Sequence, residues 1–246
     1  MSALPYALPR ESIVAEVERT LRLLMEPGSV VEIRAPRTPG QGTMSGYYRD
    51  AAKCARDVVA QLDGKGPAVY VTPNPVKPDI ASRALSRLRP RAQNTTQDSE
   101  ILRRRWLPID ADALRPSGIS ATDAEHTEAL ERAHIVAEFL ASEGWPEPIR
   151  ADSGNGGHLL YRIDLPNDTE SAALVAGVLK ALALVFDDDR VKIDTSVANA
   201  ARIWKLYPTL VRKGDSTPEW PHRRSRLLSA PERPEVVTKE MLAAAV

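Results

Sequence analysis

Residues 103–112 read RRRWLPIDAD, an apolar run that ends in two aspartates separated by one alanine. The stretch from Trp106 to Ile109 is typical of a short buried strand. Because side chains alternate along an extended chain, Asp110 and Asp112 should point the same way from the end of that strand. Two neighbouring carboxylates favour Mg²⁺ or Mn²⁺, hard cations that prefer oxygen ligands. Taken alone, the pattern also fits a strand-end turn in which aspartate forms local hydrogen bonds.

A glycine-rich segment lies further along the chain. Residues 152–158 read DSGNGGH and are followed by the apolar run LLYRI, which predicts a strand. Glycines let backbone amides approach an anion closely, and His158 could donate to a phosphate immediately after the turn. No Gly-Lys-Ser/Thr follows and no helix opens there, which excludes a Walker loop and a dinucleotide fingerprint. A hairpin turn with a structural histidine is the alternative interpretation.

A third segment, Val191 to Asp194, is again an apolar strand that ends in aspartate. It is followed by the basic stretch RIWKLYP from Arg202 and by RKG from Arg212. Arg202 and Lys205 are an odd distance apart, so on a regular strand they would project to opposite faces. One could bind phosphate while the other serves the template or the structure. A solvated edge strand would also explain the basic residues.

The rest of the chain mixes helices and strands without strict βαβ alternation, so a mixed α/β or α+β fold is expected. Thr122 and Glu125 fit a capping box at the start of one helix, which Gly144 should end. Helices are predicted over 11–25, 50–62, 122–143 and 170–186, and a helical segment over 238–246. Strands are predicted over 30–33, 69–72, 106–109, 159–163, 191–193, 203–206 and 225–228, with a loop over 36–46.

Composition narrows the function classes. The 246 residues are 43% hydrophobic, enough for one large domain or two closely packed lobes, and the net charge is zero. A neutral total argues against indiscriminate nucleic-acid binding, although basic residues gather in separate clusters. The one cysteine, Cys54, excludes an internal disulfide. The apolar runs are too short for a bilayer span and the first residues lack a secretory pattern, so we expect a cytoplasmic protein without membrane contact.

Together, the three segments occur in the order of a known family. The chain resembles the archaeo-eukaryotic primase (AEP) superfamily, particularly the primase-polymerase domains of plasmids, phages and related mobile elements. Its Asp-x-Asp, Ser-Gly-x-Gly-x-His and apolar-Asp motifs match Asp110/Asp112, Ser153 to His158, and Asp194. The segments VYVTPNPVKP, RRRWLPID and RIWKLYPTLVRKG also look like the bacterial and phage subgroup. The resemblance covers roughly residues 45 to 230.

The resemblance implies a fold in which an N-terminal α/β module, about residues 1–100, packs on an RRM-like catalytic module, about residues 101–230. The active site would lie in the cleft between them, and residues 231–246 would form a tail or a linker to a further domain. Two Mg²⁺ or Mn²⁺ ions would be held by Asp110, Asp112 and Asp194. The incoming nucleotide would be contacted by Ser153, Gly154, Gly156, His158, Arg202, Lys205 and Lys213.

The implied activity is template-dependent joining of nucleotides, as in a DNA primase or DNA polymerase, without a protein nucleophile. The partners would be single-stranded DNA template, primer and dNTP or NTP, with a helicase domain or protein as a further possibility. Template contact is expected first at Arg103, Arg104 and Arg105, which directly precede the metal strand. The pair Tyr207-Pro208 departs from the family pattern, in which a glycine or small residue is expected before Thr209.

Two other functions stay open at this point. An Asp-x-Asp glycosyltransferase would also hold Mn²⁺ and a nucleotide diphosphate, but it leaves the glycine-rich turn and Asp194 without a role. A non-catalytic DNA-binding module derived from a primase is the second alternative. Intact Asp110, Asp112, His158 and Asp194 argue against such degeneration.

Overall fold

The computed structural model of the protein describes residues 9–246. These residues form a four-stranded sheet, a five-stranded sheet, a two-stranded ribbon and five α-helices, which confirms the mixed α/β fold class. The helices are α1 (Arg10–Leu24), α2 (Ala51–Gln61), α3 (Asp123–Ser142), α4 (Thr169–Phe186) and α5 (Lys239–Ala244). The strands are β1 (Val31–Thr38), β2 (Gly42–Tyr48), β3 (Tyr70–Val71), β4 (Arg103–Ala113), β5 (Ile149–Asp152), β6 (Gly156–Pro166), β7 (Val191–Ile193), β8 (Trp204–Lys205), β9 (Leu210–Val211), β10 (Arg223–Arg224) and β11 (Arg226–Ser229).

The four-stranded sheet has the order β2-β1-β3-β8, and all neighbouring strands are antiparallel. Its apolar residues share one core with α1 and α2, which bury side chains such as Val17, Leu21 and Val58. The last strand of this sheet, β8, consists of residues 204–205. In the sequence it follows β4 to β7, which belong to the five-stranded sheet. A boundary near residue 100 therefore separates β1 to β3 from the second sheet but leaves β8 beyond it.

Residues 36–46 belong to a β-hairpin, so the loop predicted there is wrong. β1 extends to Thr38 and β2 begins at Gly42. Glycine, proline and threonine indicate local turns, but strand pairing and the burial of side chains such as Met44 outweigh that local preference. The pairing register shifts between Ala35 and Thr38, which marks a bulge in β1.

The five-stranded sheet has the order β11-β5-β6-β4-β7 and is also antiparallel. β4 spans 11 residues and has partners on both sides. Asp110 and Asp112 therefore lie inside the strand, whereas the sequence predicted them just beyond its end. Backbone pairing extends β4 past its apolar run, because ladder hydrogen bonds do not depend on side-chain hydrophobicity.

Helix α3 covers β4 and β6 on one face of the five-stranded sheet. Its predicted capping box is present: Glu125 N donates to Thr122 Oγ1 at 3.2 Å, and Thr122 N donates to Glu125 Oε2 at 2.8 Å. The face toward the sheet is rich in alanine, with Ala129 and Ala133 buried. Small side chains let the helix axis approach the sheet closely, which matters for the glycine-rich turn beneath it.

Helix α4 is the one helix within residues 9–246 that could cross a membrane by length and composition, with a mean hydropathy of 1.7 over 18 residues. A single such helix is weak evidence for a membrane span, because helices in the cores of other proteins have the same length and apolar composition. Here α4 packs on β7 and α5 and buries Val175, Val178 and Leu182. The helical segment predicted near the end of the chain is α5, which Thr238 caps.

The two large sheets share one hydrophobic core, which contains Ile33 of β1 and Ile109 of β4. Asn74 fastens the segment after β3 to the second half of the chain. Its Oδ1 accepts hydrogen bonds from the amides of Arg105 and Trp106, at 2.7 and 3.1 Å, and its Nδ2 donates to a backbone carbonyl at residue 200. The sheets are thereby held at a common edge, where a cleft opens.

Candidate functional site

A cleft of about 250 Å³ lies between the two sheets. Its lining includes eight residues that the sequence singled out: Asp110, Asp112, Ser153, His158, Asp194, Arg202, Lys205 and Lys213. It also includes residues that the sequence reasoning missed, among them Arg37, Tyr70, Asn155 and Trp204. The three separate motifs thus meet in one place.

The carboxylates meet because of strand pairing. Asp110 and Asp112 are two residues apart on β4, so both face the cleft. β7 pairs with β4, matching Ile193 to Ala111, and Asp194 follows at once. The amide of Asp194 donates to the carbonyl of Asp110 at 2.8 Å, which places the third aspartate beside the first two.

Asp110 faces His158 across the ladder between β4 and β6. Nε2 of His158 is 3.3 Å from Asp110 Oδ1, and Nδ1 is 2.6 Å from the hydroxyl of Tyr207. The imidazole also stacks on Trp204, with ring centroids 3.9 Å apart. Three partners therefore fix the ring, and Tyr207, the residue that departs from the family pattern, is one of them.

Charges in the cleft favour an ionised Asp110. Burial by itself would raise the pKa of this carboxyl, but His158, Lys213 and Lys205 more than offset it and lower the pKa below its ordinary value. Burial and the nearby Asp110 raise the pKa of Tyr207, so its hydroxyl stays protonated beside Nδ1 of His158.

Asp112 has a partner that the sequence reasoning missed. Its two oxygens accept from Nη1 and Nη2 of Arg115 at 2.7 and 3.1 Å, and the Arg115 side chain is only 5% exposed. Such a bidentate pair holds the carboxylate in one orientation. An arginine three residues after an aspartate is a signal that the sequence offered, but its meaning depends on the turn after β4.

The three aspartates suit a hard divalent cation by donor type, and all line the same cleft. Within residues 9–246, however, no group of three His, Cys, Asp or Glu side chains is close enough to form a ready-made metal site. Asp112 is turned toward Arg115, so its carboxylate would have to leave that partner to join the others at an ion. The donor set fits the metal, and Arg115 competes with it.

Cationic side chains line the other side of the cleft. Lys205 is 6% exposed, and its Nζ lies 4.3 Å from the ring centroid of Tyr70. Arg202 donates through Nη2 to the carbonyl of Ser196, while its buried Nε has no partner among the described residues. Burial lowers the pKa of Lys213, although the nearby Asp112 opposes this. Unpaired buried donors of this kind favour an anionic ligand.

Arg202 and Lys205 both reach the cleft, although their odd spacing predicted opposite faces. The alternation rule does not apply to this pair, because Arg202 precedes β8 and only Lys205 belongs to the strand. A short 3-10 helix over Thr195–Ala198 and a turn closed by the hydrogen bond from the amide of Arg202 to the carbonyl of Asn199 precede this stretch.

The glycine-rich turn connects β5 to β6 and is internally bonded. The amides of Asn155 and Gly156 donate to Ser153 Oγ at 3.3 and 2.9 Å, and the amide of Gly154 donates to Asp152 Oδ1 at 2.7 Å. Phosphate binding by these amides stays a prediction and would require the turn to open. Ser153 itself lines the cleft, so its hydroxyl is the nearer candidate.

A buried ion pair behind this turn escaped the sequence reasoning. Asp152 is 1% exposed and accepts from Nε2 of His126 on α3 at 2.8 Å and from Nε of Arg226 at 3.2 Å. Burial would raise the pKa of Asp152, but the bonds from His126, Gly154 and Arg226 outweigh it and hold the pKa below its usual value. The pair ties the turn to α3.

Replacing Asp152 by asparagine should therefore destabilise the protein by about 2 kcal/mol at pH 7, because bonds to a charged group are lost. A depressed folded-state pKa contributes stability above the ordinary value near about 4 and loses it as the pH falls through the folded value. The difference between the wild type and Asp152→Asn in urea unfolding should shrink from pH 7 to pH 3. An unchanged difference would show that the charge of Asp152 is not what stabilises the turn.

The arginines expected to contact the template do not reach the cleft. They lie at the far end of β4, about 17 to 24 Å from Asp110 along the strand. Arg103 and Arg105 both pair with Asp164, at 3.0 and 2.8 Å, and Arg104 is buried and donates to a backbone carbonyl. Their guanidinium groups already have structural partners, so DNA contact there stays a prediction that this geometry does not favour.

Comparisons with known proteins support the resemblance at the level of the fold. No protein-family model and no curated protein matches the chain. Among solved structures, the AEP domain of the primase-polymerase of cyanophage S-2L matches with a TM-score of 0.53 and 14% identity, over 94% of this chain and 96% of that one. Primase RepB′ matches with a TM-score of 0.50 and 13% identity, over 95% of this chain and 62% of that one.

At identities this low, the structural match establishes only a shared fold. Any argument about the chemistry has to rest on the residues of the cleft. The expected acidic and basic residues line one cleft between two sheets whose arrangement is found in primases. The chain therefore has the fold of the AEP domain of primase-polymerases.

Proposed function

We propose that the protein is a template-dependent nucleotidyltransferase, a DNA primase or DNA polymerase that uses two divalent metal ions. The observation that carries this proposal is the meeting of three strand-borne carboxylates with basic side chains in one cleft of a primase-type fold. A carboxylate side for cations and a basic side for polyphosphate are what nucleotidyl transfer requires.

Asp110, Asp112 and Asp194 would hold Mg²⁺ or Mn²⁺. When bound, these ions lower the pKa of the attacking 3′-hydroxyl and stabilise the leaving pyrophosphate. Three carboxylates suit two ions, because dications close together repel unless anionic ligands lie between them. Arg115 would have to release Asp112, so we expect metal binding and nucleotide binding to reorganise this ion pair.

The basic side of the cleft would bind the triphosphate. Lys205 is buried and Arg202 has a buried Nε without a partner, and within residues 9–246 neither side chain forms an ion pair. In a site with little water such charges stabilise phosphate oxygens more strongly than at the surface. His158 would donate to the same ligand or orient Asp110, since Tyr207 and Trp204 keep its ring in place.

The test is extension of a labelled primer on a single-stranded DNA template with Mg²⁺ or Mn²⁺, beside an unprimed reaction. Metal-dependent product that follows the template would support the polymerase, and product without primer would support the primase. Metal-dependent binding of a UDP-sugar in preference to dNTP would favour the glycosyltransferase alternative. DNA binding without any incorporation, under either metal and with either dNTP or NTP, would favour the non-catalytic alternative.

A further inference from the structure

A second, larger groove of about 690 Å³ continues from the cleft. The two share Arg37, Pro67, Tyr70, Asp112 and Lys213, so they form one continuous depression. The remaining wall of the groove consists of the segment 113–119 and the segment 212–214. Of this wall, the sequence indicated a role for Lys213 and none for the segment 113–119.

The groove is strongly basic. Arg37, Arg115, Arg212 and Lys213 line it, against one carboxylate, Asp112. Within residues 9–246, Arg37, Arg212 and Lys213 form no ion pair, and only Arg115 is neutralised, by Asp112. Arg37 and Arg212 are therefore cations without a nearby carboxylate partner among the described residues, and they favour a polyanion over a small neutral ligand.

The backbone directs Arg37 into this depression. Arg37 lies in the bulge of β1 and has a φ of 54°, in the left-handed region that non-glycine residues seldom adopt. Bulges commonly redirect a side chain at the edge of a site. Here the bulge turns Arg37 out of the sheet toward both the cleft and the groove.

The opposite wall is held in place by bonds between its two segments. Ser120 Oγ donates to the carbonyl of Lys213 at 3.1 Å. Arg212 donates from its amide to Pro67 at 2.8 Å and from Nη1 to the carbonyl of Gly64 at 2.6 Å, and its side chain stays exposed to the groove. The cations are therefore spaced along a fixed channel.

We propose that this groove binds the phosphate backbone of the single-stranded DNA template next to the catalytic cleft. The proposal rests on the proposed function and locates one of its substrates. Pro67 and Tyr70 line the junction between cleft and groove, and the cations would contact phosphates without reading sequence. Binding should therefore be salt-sensitive and nearly independent of sequence.

The test measures binding of a fluorescein-labelled single-stranded DNA by anisotropy over a range of salt concentrations. Arg37→Ala/Arg212→Ala should weaken binding by about tenfold and reduce the slope of log K against log salt by about 1.4, since each phosphate contact on a single strand contributes about 0.7. Ser117→Glu, which adds an anion at an exposed position of the wall, should weaken binding as well.

The matched control is Arg19→Ala/Arg56→Ala, which removes the same charge from exposed positions on α1 and α2 and should bind like the wild type. If the groove variants bind single-stranded DNA as tightly as this control while the protein extends primers, the groove is not the template site. The proposed function would still stand. A wild type that neither binds single-stranded DNA nor extends a primer would overturn both.

Discussion

Asp110→Asn should lower nucleotide incorporation by about 10³-fold, equivalent to about 4 kcal/mol of transition-state stabilisation, while the chain stays folded. Asp110 lies at the meeting point of the carboxylates and His158, and its pKa is held below the ordinary value by His158, Lys213 and Lys205 despite burial. A charged oxygen donor is therefore available there at neutral pH. Asparagine keeps the shape of the side chain but removes that charge.

The control for this prediction is Asp189→Asn, which removes a carboxylate from an exposed position outside the cleft. Primer extension would be measured for both variants together with thermal unfolding. Asp189→Asn should retain activity. If Asp110→Asn extended primers at a rate close to that of the wild type, Asp110 would not be a metal ligand.

Gly157→Ala should lower the free energy of unfolding by about 3 kcal/mol, the upper end of what overpacking commonly costs. An ideal Cβ at this position would lie 2.4 Å from Cβ of Ala133 and 2.8 Å from the carbonyl of Ala129. Both atoms belong to α3, so the helix would have to move away from the sheet. That movement would also disturb the turn before His158 and hence the cleft.

Two further variants separate this steric effect from a general effect of replacing glycine. Gly40→Ala places a side chain in open space at a φ of 70°, so it should cost only about 1 kcal/mol of backbone strain. The double variant Gly157→Ala/Ala133→Gly removes the nearest clash and should be more stable than the two single effects added together. Urea unfolding is measured for these variants, for the single variant Ala133→Gly and for the wild type. Equal losses for Gly157→Ala and Gly40→Ala would contradict the close packing of α3.

The proposed template groove shows how a chain of zero net charge can still present unpaired positive charge. The cations that line the depression have few carboxylate partners, whereas those of the stretch 103–105 are paired or buried. Net charge and local runs of arginine therefore do not show where unpaired positive charge lies. Unpaired positive charge is the relevant quantity, and it depends on which partners the fold brings near.

Short-range features of this protein followed from the sequence by itself. The capping box of Thr122 and Glu125, the strand Val191–Ile193 and the shared face of Asp110 and Asp112 depend only on neighbours along the chain. The order of the three motifs likewise pointed to the primase fold, which the comparison with solved structures confirmed. The first three signals have a local physical cause, namely capping, hydrophobic periodicity or side-chain alternation, whereas the primase fold was inferred from a resemblance to a known family.

The tertiary structure alone decided the rest. The hairpin across residues 36–46, the approach of Asp194 to Asp110 and the pair of His126 with Asp152 all join segments through strand or helix packing. Local composition carries no information on register, because a ladder pairs backbone groups that are alike in every residue except proline. Arg103 and Arg105 are neutralised in the same way, by Asp164, which is 61 and 59 residues away along the chain.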